Sequence, residues 1–252
     1  MQNFISGTGN DNYVENNKMK AIYKKELKSY FLTLVGYIFV GVFLLISGYY
    51  YVNYNVFAEN SDIGVMLENT IISFLFLVPV LTMRLYAEEK HLKTNITYMS
   101  APIPSWQIVI GKFTAAVTVF TSALLLNSFS GLYMLVTGGI NLGELFCSYI
   151  GFWLIGCLFI SIGLFMSSLT QSQIVSAIST FTVVLLLYLA SWLLDVTTNT
   201  VLVFIIKLFS VTYWYENFLY GILDIPAILY FIGFSALFLL FTVFKTESER
   251  WV

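Results

Sequence analysis

The sequence predicts an all-α polytopic membrane protein with six transmembrane helices, an N-terminal amphipathic interfacial helix, and a short outer helical segment between the fifth and sixth spans. Composition is the first reason: 58% of the 252 residues are hydrophobic, 10% are charged, and the mean hydropathy is +0.82. The second is that no charged side chain occurs from Leu145 to Leu194, although about 20 apolar residues already cross a bilayer. The third is that the charges gather at the ends of the apolar stretches.

The elements follow in order along the chain. Residues 1–18 are polar and rich in Asn, which predicts a disordered extension before one transmembrane domain over residues 19–252. Apolar side chains at helical spacing in residues 20–34, with lysines on the other face, predict the interfacial helix. The sequence leaves open whether this helix only anchors the chain or also docks a partner. The predicted spans are 32–53, 66–86, 108–136, 145–168, 174–194 and 225–244.

Orientation follows from the basic residues. The second span is the weakest, because the stretch between Glu68 and Arg84 is short and must be extended past both charges. With this span included, both termini share one face, and every Lys and Arg except Lys207 falls there. Because Lys and Arg mark the cytoplasmic side, we predict a bacterial cytoplasmic membrane protein with both termini in the cytosol.

The two connections richest in polar and aromatic residues are candidate functional surfaces. The inner loop 87–107 begins as a charged, helix-compatible run and is broken by Pro102 and Pro104, which favours a surface for another protein. The outer segment between Asp195 and Asp224 is too interrupted to span. Its aromatic residues form either an aromatic belt or an outer gate, and both interpretations stay open; the candidates for the gate are Tyr213, Trp214 and Phe218.

Several kinds of chemistry are disfavoured. Gly111-Lys112 lacks the preceding glycine of a P-loop, so no ATP site is expected. His91 is the only histidine, and Cys147 and Cys157 lie in a span, so neither a metal site nor an intramembrane protease using Glu88 and Glu89 is expected. The net charge of −2 gives no sign of a nucleic-acid partner. The spans also lack the central ionisable groups of ion-coupled transporters, so any transport energy should come from a partner.

Three segments, in this order in the chain, carry a resemblance to a known family. They are Arg84–Lys90 followed by the Pro102–Lys112 run, then Gly163–Gln173, and finally Glu216–Asp224. Together they resemble the permease subunit of ABC-2-type exporters, with a type V exporter-like fold, and in particular the gliding-motility and nitrous-oxide-maturation-like subgroup. Lys93-Thr94 departs from the Gly-Thr that is common in the family at this place.

The resemblance implies a non-enzymatic subunit that forms half of an export pathway. Its implied partners are two copies of a cytosolic ABC ATPase, which would hold ATP and Mg, a second copy of the chain or a sister permease, and membrane lipid. This chain would itself bind no cofactor. The residues expected to couple to the ATPase are Glu88, Glu89, Lys90, Leu92, Tyr98, Met99, Ser168, Thr170 and Gln171.

Small residues in the first and fifth spans are candidates for a dimer interface. Gly41, Gly48, Ser176 and Ser179 would allow close helix approach, although packing within one subunit explains them nearly as well. At the level of the whole protein, two alternatives also stay open. One is a channel or secondary transporter that works alone, and the other is a non-transporting membrane subunit driven by an ATPase.

Overall fold

The computed structural model describes residues 7–57, 63–94, 103–136, 140–196 and 199–250, and the elements in this part of the chain are helical. A π-helical segment, Val52–Phe57, follows the second helix. The α-helices, in chain order, are α1 (Gly7–Leu32), α2 (Val35–Tyr51), α3 (Ile63–Thr82), α4 (Ala87–His91), α5 (Ser105–Val136), α6 (Leu142–Leu169), α7 (Gln173–Leu189), α8 (Trp192–Val196), α9 (Thr200–Phe209), α10 (Val211–Leu219) and α11 (Ile225–Ser248).

Six stretches of the described chain are long and apolar enough to cross a membrane, which confirms the predicted number of spans. The second span is much longer than its apolar run: α3, a turn and α4 together cover Ile63–His91, past Glu68 at one end and Arg84 at the other. The other spans have ends that lie within about four residues of the predicted ones. They are Val35–Phe57, Ser105–Val136, Leu142–Leu169, Gln173–Leu194 and Ile225–Ser248.

Helix α6 forms the centre of the bundle. In its most apolar window 78% of the residues are buried, compared with 22% in the first span and 17% in the fifth. Gly151, Gly156 and Gly163 let neighbours approach α6 closely, because a Cβ atom at each would overlap Phe218, Phe120 and Thr82, respectively. The first and fifth spans both pack on α3 and bury few of their residues.

Helix α1 sharpens one prediction. It begins at Gly7 and so overlaps the extension over residues 1–18, whose disorder stays a prediction; residues 1–6 lie outside the described part. The amphipathic helix also packs on α5. It buries Ile22, Glu26 and Tyr30 at a spacing of four residues, while Lys24 and Lys28 stay exposed.

The outer segment between the fifth and sixth spans is helical, as predicted. Helices α9 and α10 meet at an angle of 72°, and Ser210, whose side chain accepts a hydrogen bond from the Tyr213 amide, begins α10. Helix α9 buries none of its residues, whereas α10 packs on α6 through Tyr215 and Phe218. The segment is therefore docked on the bundle mainly by its second helix, while Phe209 at the end of α9 meets Phe234 of α11, with ring centres 6.3 Å apart.

Candidate functional site at the charged end of the bundle

One end of the bundle, called the charged end below, gathers α4, the first turns of α5, and the last turns of α6 and α11. Lys90 joins three of these elements. Its Nζ donates to the Ser168 carbonyl oxygen at the end of α6, and it lies 2.6 Å from Glu249 Oε1 just after α11. Lys245 adds a second cation 3.2 Å from the same oxygen. The ends of α4, α6 and α11 are thus linked by charged hydrogen bonds.

A depression of about 500 Å³ lies between these helix ends. It is lined by α4 and the residues after it, by the turn between α6 and α7, and by the end of α11. Its lining residues are Lys90, His91, Lys93, Leu169, Thr170, Gln171, Lys245 and Glu249. The lining combines basic, amide and apolar groups, which is the composition of a protein contact surface more than of a small-molecule pocket.

Ser167 sets the position of α4 on the end of α6. Its Oγ accepts hydrogen bonds from the Tyr86 and Ala87 amides, both at 3.1 Å, and donates to the Met83 carbonyl at 3.2 Å. The first amides of a helix lack partners within the helix, so this hydroxyl caps α4 from another helix. The turn over residues 83–86, which separates α3 from α4, is held by the same side chain.

Glu88 forms a local ion pair. Both of its carboxylate oxygens accept from Arg84, at 2.6 Å from Nε and 2.8 Å from Nη2. About a quarter of each side chain is exposed, so water screens the pair. Bidentate geometry of this kind orients the two side chains and steadies the turn into α4.

Glu89, by contrast, belongs to a buried group. Lys112, at the start of α5, is 0% exposed, and its Nζ lies 2.7 Å from Glu89 Oε2, 3.1 Å from Glu26 Oε1 and 2.6 Å from the Leu85 carbonyl oxygen. Lys25 Nζ lies 2.9 Å from the other Glu89 oxygen. An ammonium group has three N–H donors, and here each meets an acceptor. Lys112, Glu26, Glu89 and Lys25 are called the Lys112 cluster below.

Tyr30 lies beside the Lys112 cluster on α1. Its hydroxyl donates to the Leu81 carbonyl oxygen at 2.9 Å. Burial and, after it, the nearby Glu26 carboxylate raise the pKa of Tyr30. The phenol therefore stays protonated and serves as a neutral link between α1 and the end of α3.

The structure brings the two predicted ATPase-coupling segments together. Lys90 from the first segment bonds to the backbone of Ser168 from the second, and Thr170 and Gln171 line the same depression. The Ser168 hydroxyl itself is buried and donates within its own helix, to the Phe165 carbonyl at 2.7 Å. Contact between the two segments is a tertiary feature that their separation in sequence did not reveal.

The other predicted coupling residues differ in accessibility. Leu92 is 61% exposed at the end of α4, where a partner could reach it. Glu88 is partly exposed in its pair with Arg84, and the Glu89 side chain is only 13% exposed. Tyr98 and Met99 lie outside the described residues.

The residues predicted for a dimer interface differ in whether they face outwards or into the chain. A Cβ atom at Gly41 or Gly48 would meet nothing within 4 Å, so both positions face outwards. Ser176, in contrast, is 0% exposed and its carbonyl accepts from Ser179 Oγ at 3.0 Å. Ser176 therefore packs within the chain, and the outward face of α7 is formed by its neighbours, such as Ile178.

Two of the three residues predicted as an outer gate, Trp214 and Phe218, pack against the bundle, whereas Tyr213 contacts Lys207 of the same segment. Phe218 is fully buried. Trp214 stacks on Tyr230 of α11, with ring centres 5.2 Å apart, and its Nε1 donates to the Lys207 carbonyl at 2.9 Å. The Lys207 ammonium lies 4.7 Å from the centre of the Tyr213 ring, a cation–π contact.

Sequence reasoning missed Lys112 and Glu26 as site residues. Two signals were present. Lys112 is a charge set at the start of a long apolar helix, where a buried partner is expected, and Glu26 lies midway between Ile22 and Tyr30 on the buried stripe of α1. Ser167 lies in the second segment of the resemblance, but the sequence carries no signal for its capping of α4, since the amides that it caps are about eighty residues away.

These features define a polytopic α-helical membrane protein whose connections form an ordered surface at one end. A family model described as ABC-2 family transporter protein matches residues 10–194, which is more than half of the chain. The chain therefore belongs to the ABC-2 transporter family. The matched region runs from α1 to α8 and includes α4 and the Lys112 cluster. A search of curated proteins found no match.

Proposed function

We propose that this chain is the permease subunit of an ATP-driven exporter and that its charged end docks a separate cytosolic ABC ATPase. Membership of the ABC-2 family supports a membrane subunit of an ABC transporter. The observation that carries the docking site is that α4 and the turn after α6, two segments distant in sequence, line one depression together with the end of α11.

The exposed groups of this surface suit a protein partner. Leu169 lines this depression and is 51% exposed. Leu92 is 61% exposed and lies between His91 and Lys93 in the chain, where it lines a neighbouring cavity with residues of α1. Exposed charge pairs contribute less than about 1 kcal/mol each, whereas burying a leucine side chain contributes about 1.5–3 kcal/mol. We therefore assign most of the docking energy to the two leucines. The orientation of the docked partner is assigned to Lys93 and Gln171.

In this proposal Glu88 and Glu89 contribute to coupling by holding α4 in position, not by contacting the ATPase. Their oxygens bond to Arg84, Lys112 and Lys25 within the chain, so they are already engaged before any partner arrives. A docked ATPase would push on α4, and the Ser167 and Lys90 contacts would pass that movement to α6. The partner can shift the conformation only by its difference in affinity for the two states.

The remaining assignments complete the proposal. Two ATPase copies would hold ATP and Mg, and a second copy of this chain or a sister permease would supply the other half of the pathway. The charged end would face the cytosol, with both termini on that side, in a bacterial cytoplasmic membrane. The resemblance to the gliding-motility and nitrous-oxide-maturation-like subgroup stays a prediction, because the family match is to ABC-2 transporters as a whole.

Purification with an ATPase tests this function. We expect the tagged chain to retain an ABC ATPase, and the double variant Leu92→Asp/Leu169→Asp to lose it, because the introduced charges oppose apolar contact. Leu223→Asp is the matched control: this leucine is 54% exposed and follows Gly221, which contacts Glu144 near the opposite end of α6.

Other outcomes would contradict the proposal. Transport by the purified chain without an ATPase would indicate a channel or secondary transporter. An ATPase complex that hydrolyses ATP in cells but moves no cargo would indicate a non-transporting subunit. Equal loss of ATPase from the control and the double variant would remove the assigned docking surface.

A further inference from the structure

We propose that Lys112 is a positioning residue that fixes the amphipathic helix α1 to α4, so that both helices follow the start of α5 as one unit. The inference rests on the proposed function only for its consequence, namely that movement imposed on α4 also reaches α1. The linkage itself is a property of this chain alone.

The geometry of Lys112 carries the proposal. Its ammonium group is fully buried and contacts three different segments: Glu26 on α1, Glu89 on α4 and the Leu85 carbonyl in the turn between α3 and α4. Lys25, on α1, contacts Glu89 directly. Two ammonium groups thus alternate with two carboxylates between α1 and α4, and one of these ammonium groups belongs to α5.

Because the charges are buried, the linkage opposes some movements of the helices more than others. A charge out of water is tolerated only while its partners stay in place. Separating α1 from α4 would leave buried Lys112 with only one of its two carboxylates and would break the Lys25–Glu89 pair. A small tilt of both helices together keeps every contact. The Lys112 cluster therefore opposes relative movement of the two helices much more than their common movement.

The corner after α1 allows such a common movement. Helix α1 ends at Leu32, and Leu34 has a left-handed backbone (φ 62°) before α2 begins at Val35. The helix is therefore not continuous with the first span. Its position is set from the side, by α5 and the Lys112 cluster, and Ile22 lies against Gly111, next to Lys112.

A distance measurement on the purified chain tests the inference. Spin labels would be placed on cysteines at Lys28 of α1 and His91 of α4, both exposed, in full-length protein without Cys147 and Cys157. In vesicles of phosphatidylethanolamine and phosphatidylglycerol we expect one narrow distance distribution. In the neutral variant Glu26→Gln/Glu89→Gln/Lys112→Met, which leaves no unbalanced charge in the buried part of the cluster, we expect that distribution to broaden.

Controls separate positioning from stability. Glu88→Gln alters the neighbouring pair with Arg84, whose two hydrogen bonds join the turn after α3 to α4, and should leave the distribution narrow. If the neutral variant lowers the unfolding temperature but its folded population keeps the narrow distribution, the apolar contacts of α1 alone position it and the proposal is wrong. Should the neutral variant fail to accumulate, Glu26→Gln takes its place with the same expected broadening, and an unchanged distribution then contradicts the proposal.

The measurement also stands apart from the proposed function. It uses no ATPase, so an unchanged distribution would overturn the role of Lys112 and leave the docking surface intact. Conversely, if no ATPase is found, a broadened distribution in the neutral variant still supports the linkage between α1 and α4.

Discussion

At the residue scale, Lys112 shows how a buried charge becomes a structural link. Its chemistry could be anticipated, because an ammonium group in an apolar surrounding needs acceptors for all three donors. Its partners could not be anticipated, because the two carboxylates come from different helices: Glu26 lies on α1, 86 residues earlier in the chain, and Glu89 lies on α4. The buried group is therefore specified by the packing of α1 and α4 on α5.

The two adjacent glutamates should differ in their effect on stability. Glu89→Ala removes a hydrogen bond from buried Lys112 and one from Lys25, so we expect a loss of about 1–3 kcal/mol in the free energy of unfolding. Glu88→Ala removes a partly exposed pair and should cost less than about 1 kcal/mol. Thermal unfolding of the detergent-solubilised variants measures both, and equal losses would contradict the assigned partners.

The adjacent serines at the end of α6 offer a second matched pair. Ser167→Ala leaves the Tyr86 and Ala87 amides without their cap, and loss of an N-cap costs about 0.5–2 kcal/mol. Ser168→Ala removes only a bond within its own helix and should cost less. The comparison uses the same unfolding measurement, and a larger loss for Ser168→Ala would show that α4 is not capped by Ser167.

At the element scale, the central place of α6 follows from its small residues. Glycines at 151, 156 and 163 lie on the faces where α10, α5 and α3 approach, and the helix carries no charge between Glu144 and its end at Leu169. The peripheral helices α2 and α7 are of similar hydropathy but bury few of their residues. Hydropathy therefore predicts which segments cross the membrane, and the positions of small side chains indicate which of them can be enclosed.

The arrangement of the connections predicts which sides they face. In a background without Cys147 and Cys157, a cysteine at Lys93 should react with a membrane-impermeant reagent only from the cytosolic side, because it lies at the basic, charged end. A cysteine at Asn199, before α9, should react only from outside. Both positions are exposed. Reaction of the Lys93 variant from outside would overturn the proposed orientation.

At the scale of the whole molecule, the exposed faces of α2 and α7 remain the predicted surface for a second permease. Gly41 faces outwards on α2, and Ile178 is 61% exposed on α7. If two copies pair through these faces, their helices can approach closely at positions with small residues, such as Gly41. Ser176 is enclosed within the chain, so the exposed neighbour Ile178 is the better position for a cross-linking cysteine.

Cross-linking tests this pairing. We expect Ile178→Cys to form a covalent dimer in native membranes when a short bifunctional reagent is added, because the residue faces away from its own bundle. Thr180→Cys, two residues further on the same helix and 0% exposed, is the control and should stay monomeric. A purified complex that contains a single permease copy would contradict the prediction.

The sequence by itself determined the membrane class, the number of spans and the clustering of basic residues at one end, since each depends on local composition over stretches of about 20 residues. It also marked α4 and the turn after α6 as separate contact segments. Only the tertiary structure decided that these two segments share one surface, that Glu89 faces inwards to Lys112, and that Ser176 is enclosed. The physical reason is that partners of buried polar groups come from distant parts of the chain, and packing around the glycines of α6 brings them together.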